Sequence, residues 1–213
     1  MLPKLLIWDW NGTILDDIDL CLTIENELLR ERGMKEITKE WYLDHFAFPI
    51  ESYYRMMGYT FETERYDAVA AQFMERYNAR YGSCPIQNGV KSVLAEANAR
   101  GVMQTLLSVT EQNALKEQVT RLGLNGYFGE LLGLDDQLGQ SKVERAKAYR
   151  KRVGIDPCDT LFIGDTDHDV EAARTVGCPC ALLTGGHQSK AVLLRCGVPV
   201  YDSAEAMWKA LQS

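Results

Sequence analysis

Asp9 follows four apolar residues, Leu5 to Trp8, and precedes the strand-breaking group Asn11, Gly12 and Thr13. A carboxylate so placed stands at the C-terminal end of a buried strand, the edge of an open α/β sheet where ligands bind. Ionised at neutral pH, it is suited to hold a metal or to attack as an oxygen nucleophile. A strand-end turn closed by an Asx hydrogen bond would use the same residue. Three further segments repeat the arrangement. The apolar run Val102 to Leu107 ends at Ser108, with Thr110 beyond it. The run Thr160 to Ile163 leads into Gly164-Asp165-Thr166-Asp167-His168-Asp169, three carboxylates within five residues. Lys142 opens a helix, where the helix dipole would favour an anion. Each has an ordinary reading as a cap or a solvated residue, but together they gather acids, a hydroxyl and an ammonium at successive strand ends. Clustered carboxylates repel one another unless a cation lies between them, and Mg²⁺ is the hard, oxygen-seeking ion that fits. Such a site invites phosphate, with Ser108, Lys142 and loop N–H groups to hold the remaining oxygens.

The elements that must position these residues fall into two compositional blocks. Ile18 to Arg32 has apolar residues at helical spacing and stops at Gly33. From Thr38, a helix cap, to Tyr81 the spacing stays helical, with a break at Pro49 and a long run beginning at Phe61. Cys84-Pro85 and Asn88-Gly89 close this block, whose tyrosines and methionines suit a helical core. From Val90 onward strands alternate with helices: helix Val90 to Arg100, strand Val102 to Leu107, helix Glu111 to Leu122, strand Glu130 to Leu134 and helix Lys142 to Val153. Strand Thr160 to Ile163, helix Asp169 to Val176, strand Cys180 to Leu183 and a helix near Ala204 to Leu211 complete the series. The first strand belongs with this second block. The expected fold is therefore α/β: a Rossmann-like three-layer core with a central parallel sheet, formed by residues 1–15 and 86–213, interrupted by a small all-helical insertion, residues 16–85, on hinge-like connections.

Composition narrows the function. The 213-residue chain is 46% hydrophobic and 25% charged, ordinary for a globular protein. Its net charge of -7, without any Lys/Arg-rich run, argues against nucleic-acid binding. No apolar run approaches the roughly 20 residues of a membrane span, and Met1 to Lys4 leads straight into the first strand, so a cytoplasmic location is expected. Six scattered cysteines form no disulfide framework, and Cys178-Pro-Cys180 lacks zinc-site spacing; free, buried thiols are expected.

Asp9-Trp10-Asn11-Gly12-Thr13, Ser108 after an apolar strand, Lys142, and Gly164-Asp165 with Asp169 resemble, in order and spacing, the four motifs of the haloacid-dehalogenase-like hydrolases. The resemblance covers essentially the whole chain. Gly123-Leu124 with Tyr127-Phe128, and Asp169-Val170-Glu171-Ala172-Ala173 with Gly177, are similar to the phosphoglycolate-phosphatase-like branch, whose small helical cap matches the insertion in position. The resemblance implies a phosphatase acting on a small phosphorylated metabolite, a phosphoglycolate-like monoester. Asp9 would attack phosphorus to form an aspartyl-phosphate. Asp9, the Asn11 carbonyl and Asp165 would hold Mg²⁺, with Asp169 in support. The implied catalytic set is Asp9, Asn11, Ser108 and Lys142, and the phosphate-binding set is Ser108, Val109, Lys142 and Gly12. The expected assembly is a monomer or homodimer.

One position departs from the pattern. Most phosphatases of this family carry an aspartate two residues after the nucleophile as general acid and base, and this chain has Asn11. An amide transfers no proton, and a positioned acid or base is worth about 10² to 10⁴ in rate. His168, Asp16 or a residue of the helical insertion is a candidate to supply the proton, or the substrate has a good leaving group. Two other outcomes stay open: a catalytically weak phospholigand-binding or regulatory member of the fold, and a phosphonate-cleaving relative, for which Lys35 and Lys39 are the only lysines in the insertion. A receiver-type signalling domain shares the chemistry but lacks such an insertion. Arg30, Arg55 and the Phe48-Pro49 turn are candidates to face the substrate from the helical side.

Overall fold

The computed structural model describes residues 2–134 and 142–213, the side chains of residues 142 and 143 excepted. Strands β1 (Leu5–Trp8), β2 (Met103–Glu111), β3 (Glu130–Leu134), β4 (Thr160–Gly164), β5 (Cys180–Leu183) and β6 (Val200–Tyr201) form one sheet in the order β3-β2-β1-β4-β5-β6. All of its neighbouring pairs are parallel. The helices are α1 (Ile18–Glu31), α2 (Lys39–His45), α3 (Ile50–Met56), α4 (Tyr66–Arg80), α5 (Val90–Ala99), α6 (Gln112–Arg121), α7 (Lys142–Val153), α8 (Asp167–Val176), α9 (Lys190–Leu193) and α10 (Ala204–Gln212).

A parallel sheet is covered on both faces, and β1 shows why its sequence is a continuous apolar run. Successive side chains alternate between faces. Leu6 and Trp8 pack with α5, α6 and α10 through Leu94, Val119 and Met207, whereas Leu5 and Ile7 pack with α7, α8 and α9 through Tyr149, Val170 and Leu193. All four β1 side chains are fully buried. The two indoles nearest the site are also buried, and their N–H groups find partners: Trp8 Nε1 donates to Gln104 Oε1 at 3.0 Å and Trp10 Nε1 to Gln118 Oε1 at 2.6 Å.

Helices α1 to α4 form a separate layer around an aromatic core that includes Ile24, Leu28, Tyr42, Tyr53 and Val69. Thr38 caps α2 by accepting from Trp41 N. The helical run expected from Phe61 begins at Tyr66, because Phe61 stands at φ 61°, outside helical backbone. Strand β2 is longer than its apolar run: it continues through Ser108 to Glu111, with a register shift against β3 between Leu107 and Glu111. Pairing through polar residues and an irregularity leaves no apolar signature. Strand β6 and helix α9, too short for periodicity, were likewise not expected. The six cysteines are free, and Cys178 and Cys180 are buried. Among the described residues no helix is long and apolar enough to cross a membrane.

Candidate active site

Parallel pairing of β1 with β4 sets Trp8 beside Ile163, so Asp9 and Asp165 emerge from adjacent strands at one edge of the sheet. That edge is the C-terminal one, at the point where strand order diverges from β1. Helix α8 begins there, and Asp169 folds back over its first turn: Oδ2 accepts from Thr166 N at 3.0 Å, Thr166 Oγ1 at 2.8 Å and Asp165 N at 3.2 Å. One carboxylate oxygen from each of Asp9, Asp165 and Asp169 lies within 4.8 Å of the others. Three like-charged groups so close, two of them deeply buried, repel one another. Burial, with the charge of Asp169 adding to it, pushes the Asp165 carboxyl up to about 6 against the pull of His187. An all-oxygen acidic donor set of this kind fits a hard divalent cation.

Backbone without side chains makes room for the cluster. A Cβ on Gly12 or Gly186 would overlap the Asp165 carboxyl, and one on Gly164 would overlap that of Asp169. Gly12 adds a φ of 73°, which L side chains avoid. Gly186→Ala, whose backbone tolerates the substitution, should therefore displace Asp165 and weaken binding of a divalent cation offered to the cluster by roughly tenfold or more, read by calorimetric titration. Unchanged affinity would show that Asp165 is not held by this contact.

Asn11, two residues from Asp9, is tied into a network that joins the sheet edge to the helical layer. Its Nδ2 donates to Asp17 Oδ2 at 2.7 Å and meets Tyr77 OH at 2.7 Å; its Oδ1 accepts from Thr110 Oγ1 at 3.2 Å. The hydroxyl of Tyr77 in turn donates to Asp17 Oδ2 at 2.6 Å. This amide orientation is the one that gives every polar atom a partner. Asp17 is buried, and burial opposes its charge, yet His187 and the hydrogen bonds from Tyr77 and Asn11 pull its carboxyl below the ordinary range. His187 lies in the loop after β5. Its Nε2 is 3.4 Å from Asp17 Oδ1, its Nδ1 is 2.7 Å from Tyr42 OH, and its backbone N donates to Asp165 Oδ2 at 2.6 Å. Burial alone would lower the His187 pKa, but the charges of Asp17, Asp165 and Asp9 raise it to about 9.

The other expected residues divide. Ser108 is buried; its hydroxyl is 3.0 Å from Thr110 Oγ1 and accepts from Thr110 N at 3.0 Å, and Thr110 links it to Asn11. Val109 lines the cavity above Asp9. Gly12 enters differently from expectation: its N–H is taken by Leu15 O at 2.9 Å and Asp17 Oδ1 at 3.0 Å, so it serves by lacking a side chain and does not donate outward. Lys142 begins α7, and its side chain lies outside the described residues. His168 lines the cavity with its ring stacked on Phe48, 4.5 Å between centroids. Asp16 does not line it. Arg30 pairs with Glu36 and Arg55 with Glu51, at the surface and away from the cavity. Lys39 pairs with Asp19.

The residues that sequence reasoning missed are Asp17, Tyr77, Tyr42 and His187. One signal was available for the last: β5 also ends at this edge, and Gly185-Gly186 marks its loop as one that passes close to something. Above the carboxylates the site opens into a cavity of about 330 Å³ between the sheet edge and α1 to α4.

A phosphoglycolate phosphatase of Pseudomonas fluorescens is 27% identical over 197 residues, spanning 87% of this chain and 71% of its own. One from Xylella fastidiosa is 26% identical over 195 residues, spanning 88% and 82%. Among solved structures, a haloacid dehalogenase-like hydrolase from Streptococcus pneumoniae superposes with a TM-score of 0.79 at 15% identity over 98% of both chains. A haloacid dehalogenase-like protein from Agrobacterium tumefaciens gives 0.78 at 20% identity over 99% of both; these two likenesses bear on the fold. The family model for haloacid dehalogenase-like hydrolases matches residues 6–183, and the chain belongs to that family.

Proposed function

We propose that the protein is a Mg²⁺-dependent phosphatase that hydrolyses a small phosphomonoester through an aspartyl-phosphate on Asp9. The observation that carries this reading is the convergence of Asp9, Asp165 and Asp169 within 4.8 Å at the floor of a cavity roofed by helices. The names of the curated relatives support the phosphatase class.

In this reading an Asp9 carboxylate oxygen forms a bond to phosphorus as the ester oxygen leaves in line, and water then cleaves the acyl phosphate to free phosphate and Asp9. Asp9, Asp165, Asp169 and the backbone carbonyl of Asn11 would hold Mg²⁺. When bound, the ion would neutralise charge on the phosphoryl oxygens. Ser108, the Val109 backbone and Lys142 are the proposed partners of the remaining oxygens. The segment 16–85 acts as a cap that keeps water from the acyl phosphate and shapes the leaving-group pocket. Asn11 gives no proton to the departing oxygen, so esters that leave without one should react fastest.

The test is phosphate release with and without Mg²⁺. Acetyl phosphate and 4-nitrophenyl phosphate should be hydrolysed, simple alkyl phosphates about 10² to 10⁴-fold more slowly, and excess EDTA should abolish turnover. A rate indifferent to EDTA would overturn the metal assignment. A second reading, a phospholigand binder with little turnover, is favoured by one observation: Asn11 is held by Asp17, Tyr77 and Thr110, where the family's usual acid would stand. Tight phosphate binding with silence on every ester would select it.

A further inference from the structure

We infer that the cavity selects a phosphate ester whose alcohol portion is apolar and ends in a cationic amine, with Glu25 as the amine's partner. The inference rests on the phosphatase reading and concerns the group that leaves.

Asp17, Cys21 and Glu25 are spaced four residues apart and all line the cavity from α1 and its start. At 1.5 Å per residue they run about 12 Å along the wall, from the network around Asn11 into the helical layer. The wall is aromatic along its length: Tyr42, Phe46 and Tyr77 stand by the network, and Tyr54, Tyr66 and Phe73 line the rest of the cavity. Ring faces of this kind attract a cation that has shed its water. The faces repel a carboxylate, and the Tyr77 hydroxyl is already given to Asp17.

Glu25 is the one acid at that end. It is 4% exposed, and Tyr53 OH donates to its Oε2 at 2.8 Å; no hydrogen bond to Oε1 is found among the described residues. Desolvation raises its carboxyl to about 8 despite that bond. Near pH 7 the group is therefore largely the neutral acid in the free protein, an ammonium placed beside it would favour its ionised form, and no described Lys or Arg side chain lines the cavity. The arginines of the layer are committed elsewhere: Arg32 to Glu64, Arg76 to Glu31 and Arg80 to Glu27. The cationic side chain in the described lining, His187, is held against Asp17 at the sheet end, so the Glu25 end has a place for positive charge. A leaving group whose carboxylate reached the Glu25 end would meet an acid there and no described Lys or Arg side chain.

Three aryl phosphates of nearly equal leaving ability test this: 4-(aminomethyl)phenyl, 4-(hydroxymethyl)phenyl and 4-(carboxymethyl)phenyl phosphate. The expected order of kcat/KM is cationic, neutral, anionic, with steps of about tenfold. Glu25→Gln should bring the cationic-to-neutral ratio towards one, and Tyr66→Leu, at a half-buried wall position, should lower it as well. Preference for the anionic ester, or a ratio that neither variant moves, overturns the inference. If none of the three esters nor 4-nitrophenyl phosphate is turned over, the phosphatase reading fails by itself. Affinities of the three esters for Asp9→Asn protein, measured by calorimetry, then decide the pocket's preference: the same order supports it and a flat or reversed order overturns it.

Discussion

Asp9→Asn loses phosphate release by about 10⁴-fold or more, a barrier increase of about 5 kcal/mol, while the metal-free protein becomes harder to unfold. The first effect follows from the proposed chemistry. An amide oxygen neither attacks phosphorus as a carboxylate does nor forms an acyl phosphate that water can clear. The second follows from the cluster's electrostatics. Removing one of three like charges within 4.8 Å relieves the repulsion felt by Asp165 and Asp169. At an effective dielectric of about 20 each such pair costs about 3 kcal/mol, and the lost attraction of Asp9 for His187 offsets part of the relief, which leaves a rise of a few degrees in Tm for a chain of this size. Measuring the two together separates a lost nucleophile from a lost fold. An inactive variant with a lower Tm would mean that Asp9 is needed for structure, and a variant retaining more than a tenth of the rate would remove it as the nucleophile.

Restoring an aspartate at position 11 alone should fail to restore an acid. In Asn11→Asp two carboxylates would stand about where Asn11 Nδ2 and Asp17 Oδ2 now meet at 2.7 Å, in a buried site. Like charges at that distance share a proton or force the loop apart, at a cost of about 3 kcal/mol. The exchange Asn11→Asp with Asp17→Asn puts donor and acceptor back in reversed order. It should recover roughly half of that loss, because Asp17 also accepts from Gly12 N and faces His187, which an amide serves less well. The double variant is then the one expected to gain turnover on alkyl phosphates, by up to about 10²-fold. Thermal melts and kcat on ethyl phosphate for the four members of the cycle check this. A stable, faster Asn11→Asp single variant would show that Asp17 does not constrain position 11.

The core fold and the acidic site were legible for the same reason. Buried parallel strands are written as apolar runs, and the residues that end them, Asp9 and Asp165, are conspicuous because they are polar at a fixed place. Asp169 was legible as part of a helix start crowded with acids. What stayed hidden depends on contacts between distant segments. Asp17 reads locally as an acid before a helix; only the fold brings Tyr77 and His187 onto it, 60 and 170 residues further along. Gly12 reads in the sequence as part of a phosphate-binding loop, and its N–H is taken by Leu15 O of its own turn and by the Asp17 carboxylate. Ser108 was placed at a strand end, whereas it lies within β2, since a strand that continues through Val109-Thr110-Glu111 has no apolar alternation to show.

The loop after β5 touches the helical layer at several points in succession: His187 reaches Tyr42, Gln188 Nε2 donates to Phe46 O at 2.9 Å, and Ser189 N donates to Leu43 O at 2.8 Å. A segment from the far end of the chain thus grips α2 and the turn after it, and these two parts of the protein have to be inherited as a pair. Chimeras that exchange residues 16–85 with a relative should fold poorly unless residues 184–190 travel with them, so the unit of recombination in this protein is discontinuous in sequence.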